Sequence, residues 1–151
     1  MDNLYIRIPN VNGLWQGWLA TPTALQAKAL TQDELEAIMA TKAANMCISL
    51  LLPTSSCVMA SVNVTRQQLK QLSASDIAYL IEEQVLGQVE QLQCVYQSLN
   101  EQQALVLGIQ DGILKELLEP FKEISGQLIT AVPDIFLLPH NPQGWSLLVD
   151  N

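Results

Sequence analysis

The chain has 151 residues, a formal net charge of −8, and a composition that is 49% hydrophobic and only 15% charged. That length buries a core without disulfides or metals, and the apolar content excludes a disordered chain. Seven Lys and Arg against fifteen Asp and Glu leave little with which to displace the counterions of a phosphate backbone, so nucleic acid is excluded as a partner.

Leu4, Ile6 and Ile8 alternate with Tyr5 and Arg7, the two-residue period of a half-buried strand. A turn over Asn10 to Gly13 leads to a second strand, Gly13 to Ala20, with a bulge expected at Gly17. Thr31-Gln-Asp-Glu34 is a capping box, which predicts a helix to about Ala44 with Leu35, Ile38 and Met39 buried. Met46 to Leu52 is a continuous apolar run stopped by Pro53 and reads as a strand covered on both faces. In Cys57 to Val64 the residues Val58, Ala60, Val62 and Val64 share one face, so the other face is open to water or a partner.

Ser73-Ala-Ser-Asp76 is a second capping box, predicting a helix through Ile77, Leu80, Ile81 and Val85 that Gly87 ends as a left-handed cap. Cys94 to Leu99 and Ala104 to Ile109 form a hairpin around Asn100 to Gln103. Asp111 caps a third helix with Leu114, Leu117, Leu118, Phe121 and Ile124 on one face and Gly126 beyond its end. Pro120 inside it predicts a kink or a restart. Leu128 to Val132 is a strand broken by Pro133-Asp134. A short apolar segment, Ile135 to Leu138, and a last strand, Trp145 to Val149, follow.

No apolar run approaches the roughly 20 residues of a membrane-spanning helix, so direct membrane insertion is not expected. The opening Met-Asp-Asn-Leu-Tyr-Ile lacks the basic and apolar regions of a secretory signal, which predicts a cytoplasmic chain. Cys47, Cys57 and Cys94, odd in number and widely spaced, are expected to be reduced interior thiols.

The chemistry of a catalytic site is missing from the sequence. No Gly-x-x-x-x-Gly-Lys-Ser/Thr string occurs, so there is no phosphate-binding loop of that type. One histidine, His140, and three scattered cysteines offer neither a zinc pair nor a local nucleophile signature. The strands Leu4 to Ile8 and Met46 to Leu52 carry no carboxylates for a two-metal centre. No catalytic, cofactor or metal residue is assigned, and the expectation is a protein that is not an enzyme.

One anomaly remains. Between Lys70 and Lys115 there is no basic residue, while Asp76, Glu82, Glu83, Glu90, Glu101 and Asp111 all fall in that interval. Seven positions apart on one helix, Asp76 and Glu83 would share a face, with Glu82 beside them. A solvated face is one reading. The other is a docking face for a basic partner, formed by Asp76, Glu82, Glu83, Glu90 and Glu101 and extended by strand pairing beside Cys94 to Leu99.

Several strings carry a resemblance. Tyr79-Leu-Ile-Glu-Glu-Gln-Val85, followed by Val89-Glu-Gln-Leu92, resembles the Leu-Glu-Glu-Gln region of protein L of type II secretion systems. Leu50-Leu-Leu-Pro53, Ala131 to Pro139 and Gly144-Trp-Ser-Leu-Leu148 agree with that family in order and rough spacing, so the resemblance covers nearly the whole chain.

The resemblance implies an α/β (mixed α+β) fold, with a ribonuclease-H-like or actin-like first subdomain over 1–72 and an inserted small β-β-α-β subdomain over 73–132. Residues 133–151 would be a connection and the first strand of a following subdomain, cut short at Asn151. It implies a non-catalytic adaptor at the cytoplasmic face of the bacterial inner membrane. Its partners would be the N-terminal domain of the secretion ATPase, gripped by the insert, and other inner-membrane platform proteins, with no cofactor.

Actin-like ATPases hold phosphate with an Asp-x-Gly-Thr/Ser turn after the first strand. The turn here is Pro9-Asn-Val-Asn-Gly13, without the Asp. That departure weighs against the alternative of an actin-like nucleotide-binding protein of a type IV pilus machine. A self-associating structural subunit, dimerising through a free strand edge, is the remaining alternative.

Overall fold

The computed structural model describes residues 2–9, 14–24, 26–41 and 45–137. The expected turn at 10–13, the end of the first helix at 42–44, His140 and the strand Trp145 to Val149 lie outside them. The chain divides into two compact units, 1–54 with 119–151, and 55–118.

The first unit is built on a five-stranded mixed sheet. β1 (Asp2–Arg7) pairs antiparallel with β2 (Gln16–Ala20), which pairs antiparallel with β3 (Lys28–Leu30). On its other side β1 runs parallel to β4 (Met46–Leu52), and β4 parallel to β8 (Leu128–Pro133). The order is therefore β3-β2-β1-β4-β8. Flanked on both edges, β4 is buried continuously from Ile48 to Leu52, as its unbroken apolar run requires. Leu4, Ile6 and Ile8 are likewise buried and alternate with partly exposed neighbours.

α1 (Gln32–Ala40) opens with the expected capping box. The Glu34 amide donates to Thr31 Oγ1 at 3.3 Å, and the Thr31 amide donates to the Glu34 carboxylate at 2.9 Å. The helix buries Leu35 against β2, where a Cβ at Gly17 would stand 3.0 Å from Leu35 Cδ1. Gly17 sits in regular register between Ile6 and Leu30 and forms no bulge; the close approach of Leu35 accounts for it. Trp15 and Phe121 stack with centroids 5.2 Å apart and planes 17° apart, and Phe121 is fully buried. β3 was not anticipated, because three residues carry too little periodicity to register.

The second unit holds a three-stranded antiparallel sheet, ordered β5-β7-β6, from β5 (Cys57–Val62), β6 (Leu92–Ser98) and β7 (Ala104–Gln110). β5 belongs here because it pairs with β7 along its whole length, although the sequence placed it in the first subdomain. β8, read as part of the insert, pairs with β4 in the first unit. α2 (Arg66–Leu69) and α3 (Ala74–Tyr79) follow β5. Ile77, Ala78 and Ile81 bury against Val89, Leu92 and Val106, with Val58, Ala60 and Val62 packed alongside. At roughly 1.5–3 kcal/mol for each buried aliphatic side chain, this layer is what holds the short helix to the sheet. Gly108 lets it approach: a Cβ there would meet Ile81 Cδ1 at 3.1 Å and Cys94 Sγ at 3.3 Å.

Three helices differ from expectation. α1 ends at Ala40, capped by Thr41, rather than near Ala44, and leaves Ile38 and Met39 half-buried. α3 ends at Tyr79 rather than continuing to Val85, and a separate 3₁₀ turn, Glu82–Gln84, follows. Gly87 has φ +154°, outside the left-handed cap geometry, and lies beyond that turn. α4 (Asp111–Leu118) stops two residues before Pro120, and the chain continues as a 3₁₀ stretch, Glu119–Gln127. The proline ring clashes with the preceding turn and donates no hydrogen bond. Phe121 consequently leaves the line of Leu114, Leu117 and Leu118 and enters the core of the first unit.

Candidate partner-binding surface

The acidic residues singled out from the sequence all fall in the second unit, where Asp76, Glu82, Glu83, Glu90 and Glu101 are exposed and Asp111 is half-buried. Asp76 stands at the third position of α3 because Ser73 caps that helix. The Ser73 hydroxyl and amide donate to the Asp76 carboxylate at 2.6 Å and 2.9 Å. The same two bonds, the hydroxyl first, hold its carboxyl below the usual range. This carboxylate is engaged in starting its own helix.

One turn later Tyr79, at the end of α3, donates its hydroxyl to Glu90 Oε1 at 2.9 Å. Glu90 occupies a short 3₁₀ turn, Val89–Gln91, whose buried Val89 anchors it to the core. Its own backbone amide, then the Tyr79 hydroxyl, lower the Glu90 carboxyl. In return the Glu90 bond and charge, with the Glu82 charge beyond, push the Tyr79 phenol up. Glu82, Tyr79 and Glu90 therefore share one electrostatic neighbourhood.

Leu86 is wholly exposed, and Tyr79 is 47% exposed. A half-exposed aromatic ring hydrogen-bonded to a carboxylate, and a bare leucine two residues after the turn of Glu82 and Glu83, are residue types suited to an interface. Neither was singled out from the sequence. Leu86 carried a signal, being a leucine directly before Gly87 and outside the Ile77/Leu80/Ile81 stripe.

The expected pairing of Asp76 with Glu83 on one helical face fails, since the helix ends between them. Glu83 shares the 3₁₀ turn of Glu82. Glu101 lies in the loop joining β6 to β7, and β6 separates it from Glu90 by about 20 Å of extended chain. The structure thus brings Glu82 and Glu90 together around Tyr79 and leaves Glu101 at the opposite end of the hairpin.

In the first unit a polar knot escaped the sequence reading altogether. Asp134 follows β8, is 5% exposed, and takes Arg7 Nε at 2.9 Å, the Thr54 hydroxyl at 2.6 Å and the Thr54 amide at 3.1 Å. Arg7 ends β1 and Thr54 follows β4, so the knot closes the carboxyl ends of three parallel strands, where open α/β sheets ordinarily receive a ligand. Among the described residues no three His, Cys, Asp or Glu side chains are grouped to hold a metal.

The fold and this surface can be set beside known proteins. The family model for type II secretion system protein L matches residues 10–151. The chain belongs to that family. A type II secretion system protein L of Dickeya chrysanthemi is 28% identical over 118 residues, 78% of this chain but 29% of that protein. The cytoplasmic domain of EpsL, an inner membrane component of the type II secretion system of Vibrio cholerae, superposes with a TM-score of 0.73. That match covers 94% of this chain and 61% of the solved one at 18% identity. The mixed α+β architecture of this protein L family member is thus shared with that domain. The chain spans less than two thirds of either relative's length. Among the described residues no helix is long and apolar enough to cross a membrane.

Proposed function

We propose that this protein L family member is a non-catalytic adaptor of the type II secretion inner-membrane platform. It recruits the secretion ATPase through the N-terminal domain of that enzyme, at the cytoplasmic face of the inner membrane. The second unit, residues 55–118, is the binding module. The observation that carries the reading is the exposed patch of Glu82, Tyr79 and Glu90, with the bare Leu86 two residues after the turn that carries Glu82, in a chain of net charge −8. Such a surface steers a basic partner and gains affinity where the apolar groups are desolvated. Asp76 and Glu83 contribute charge at its margins, Glu101 lies outside it at the far end of the β6–β7 hairpin, and other platform proteins bind elsewhere on the chain.

The test mixes this chain with the ATPase N-terminal domain and follows binding against salt. Reversing Glu82 and Glu83 to Lys weakens association about tenfold at low salt and flattens its salt dependence. Unchanged affinity and unchanged salt slope would remove the acidic face from the mechanism.

A further inference from the structure

The chain has seven Lys and Arg, six of them among the described residues. Four of the six end on carboxylates: Arg7 on Asp134, Lys28 on Glu34, Lys115 on Asp111 and Lys122 on Glu119. The other two, Arg66 and Lys70, have no ion-pair partner among the described residues, in a chain with fifteen Asp and Glu. They stand one turn apart, Arg66 opening α2 and Lys70 capping its end, and both are exposed. Like charges at that spacing repel and destabilise the helix that carries them.

These two cations line one cavity of about 350 Å³, together with Tyr96, Gln97 and Ser98 of β6. No carboxylate lines it. The Tyr96 ring is 41% exposed, and its hydroxyl has no hydrogen-bond partner among the described residues. The walls therefore offer a guanidinium fork, an ammonium, two hydroxyls and an amide, all able to donate. An oxyanion between Arg66 and Lys70 would turn their repulsion into attraction. A guanidinium fork fits the paired oxygens of a phosphate, with the ammonium adding charge. The volume lies within the range of small-molecule sites, roughly 300–1,000 Å³, and exceeds what a lone carboxylate fills.

We propose that the pocket formed by Arg66, Lys70, Tyr96, Gln97 and Ser98 is a receptor for the phosphate group of a soluble phosphorylated small molecule. A lipid headgroup offers the same chemistry, but a net charge of −8 opposes approach to an anionic bilayer. The pocket is open to solvent, so binding is modest and weakened by salt. The inference is independent of ATPase recruitment.

The test is a two-dimensional amide NMR titration of the whole chain with inorganic phosphate, against sodium chloride at matched ionic strength. Saturable shifts are expected at residues 66–70 and 96–98. R66Q and K70Q each weaken them about tenfold, R66Q/K70Q abolishes them, and K122Q leaves them unchanged. Unsaturable shifts, shifts equal to those with chloride, or shifts that saturate at an unchanged phosphate concentration in the single variants overturn the site. In a second arm the chain is sedimented with phosphatidylcholine vesicles containing phosphatidic acid. No cosedimentation is expected, and cosedimentation that depends on Arg66 and Lys70 would overturn the soluble source.

Discussion

Arg7 and Asp134 stand 127 positions apart in the chain and meet in a salt bridge at 2.9 Å, with side chains only 11% and 7% exposed. Burial pushes the Asp134 carboxyl up, but the Thr54 hydroxyl, the Arg7 guanidinium and the Thr54 amide outweigh it and hold it below the ordinary carboxylate range. The pair ties the end of β1 to the segment after β8 across the intervening β4. Asp134→Ala removes the nearly buried carboxylate that both Arg7 and Thr54 bond, and a loss of about 3 kcal/mol is expected in denaturant unfolding. Because the folded carboxyl titrates low, its contribution is fully present above the unfolded value near 4 and is lost as pH falls through the folded one. The acid limb of the stability curve should therefore flatten in Asp134→Asn.

Glu34 provides an exposed counterpart. The Lys28 ammonium at 2.6 Å and then the Thr31 amide lower its carboxyl from 4.5 to about 2. A carbon-detected NMR titration should find it near that value in dilute buffer and higher in strong salt, which screens the exposed Lys28. What Glu34 adds to stability is complete above 4.5 and disappears as pH drops through about 2. A midpoint that does not move in Lys28→Gln would contradict the assignment.

Phe121→Ala removes a fully buried ring stacked on Trp15 and should cost about 3–5 kcal/mol. Phe121→Leu, which keeps most of the volume, should cost less than half of that. Trp15 emission should shift to the red in the alanine variant even in conditions where the protein remains folded.

Leu86→Ser separates stability from partner binding. The side chain is wholly exposed in the structure, so the unfolding midpoint should stay within about 0.5 kcal/mol of the parent. Affinity for the ATPase N-terminal domain should fall several-fold, without the altered salt slope expected of Glu82 and Glu83. A stability loss with intact binding would place Leu86 outside the docking face.

Much of the fold was legible in the sequence because its signals were local. Thr31 and Ser73 announced their helices through capping geometry that spans three residues, and Met46 to Leu52 announced a doubly covered strand by carrying no polar face. The hairpin of β6 and β7 was readable from two strands and one polar loop. What stayed hidden was set by tertiary partners. The end of α3 at Tyr79 is followed by a tighter turn that buries Ile81 completely against the sheet, and no residue between Leu80 and Gln84 breaks a helix. β5 reads as a continuation of the first sheet until its partner, β7, is known. The candidate surface was half visible: charge alone picked out Glu82 and Glu90, but only the fold put Tyr79 between them and set Glu101 apart. Arg7 and Asp134 could not be paired from sequence, since nothing local marks two strand ends as neighbours.

The second unit interrupts the first between Thr54 and Glu119, and this fixes the order in which a ribosome can deliver their parts. All three strands of the smaller sheet have been synthesised once Gln110 is made, each with its partner inside the same stretch. The larger sheet still lacks β8 then, so β4 has a neighbour on one side only, and Asp134, which closes the salt bridge to Arg7, has not been synthesised. A nascent chain halted after Leu118 would carry one finished module and one sheet with an exposed apolar flank.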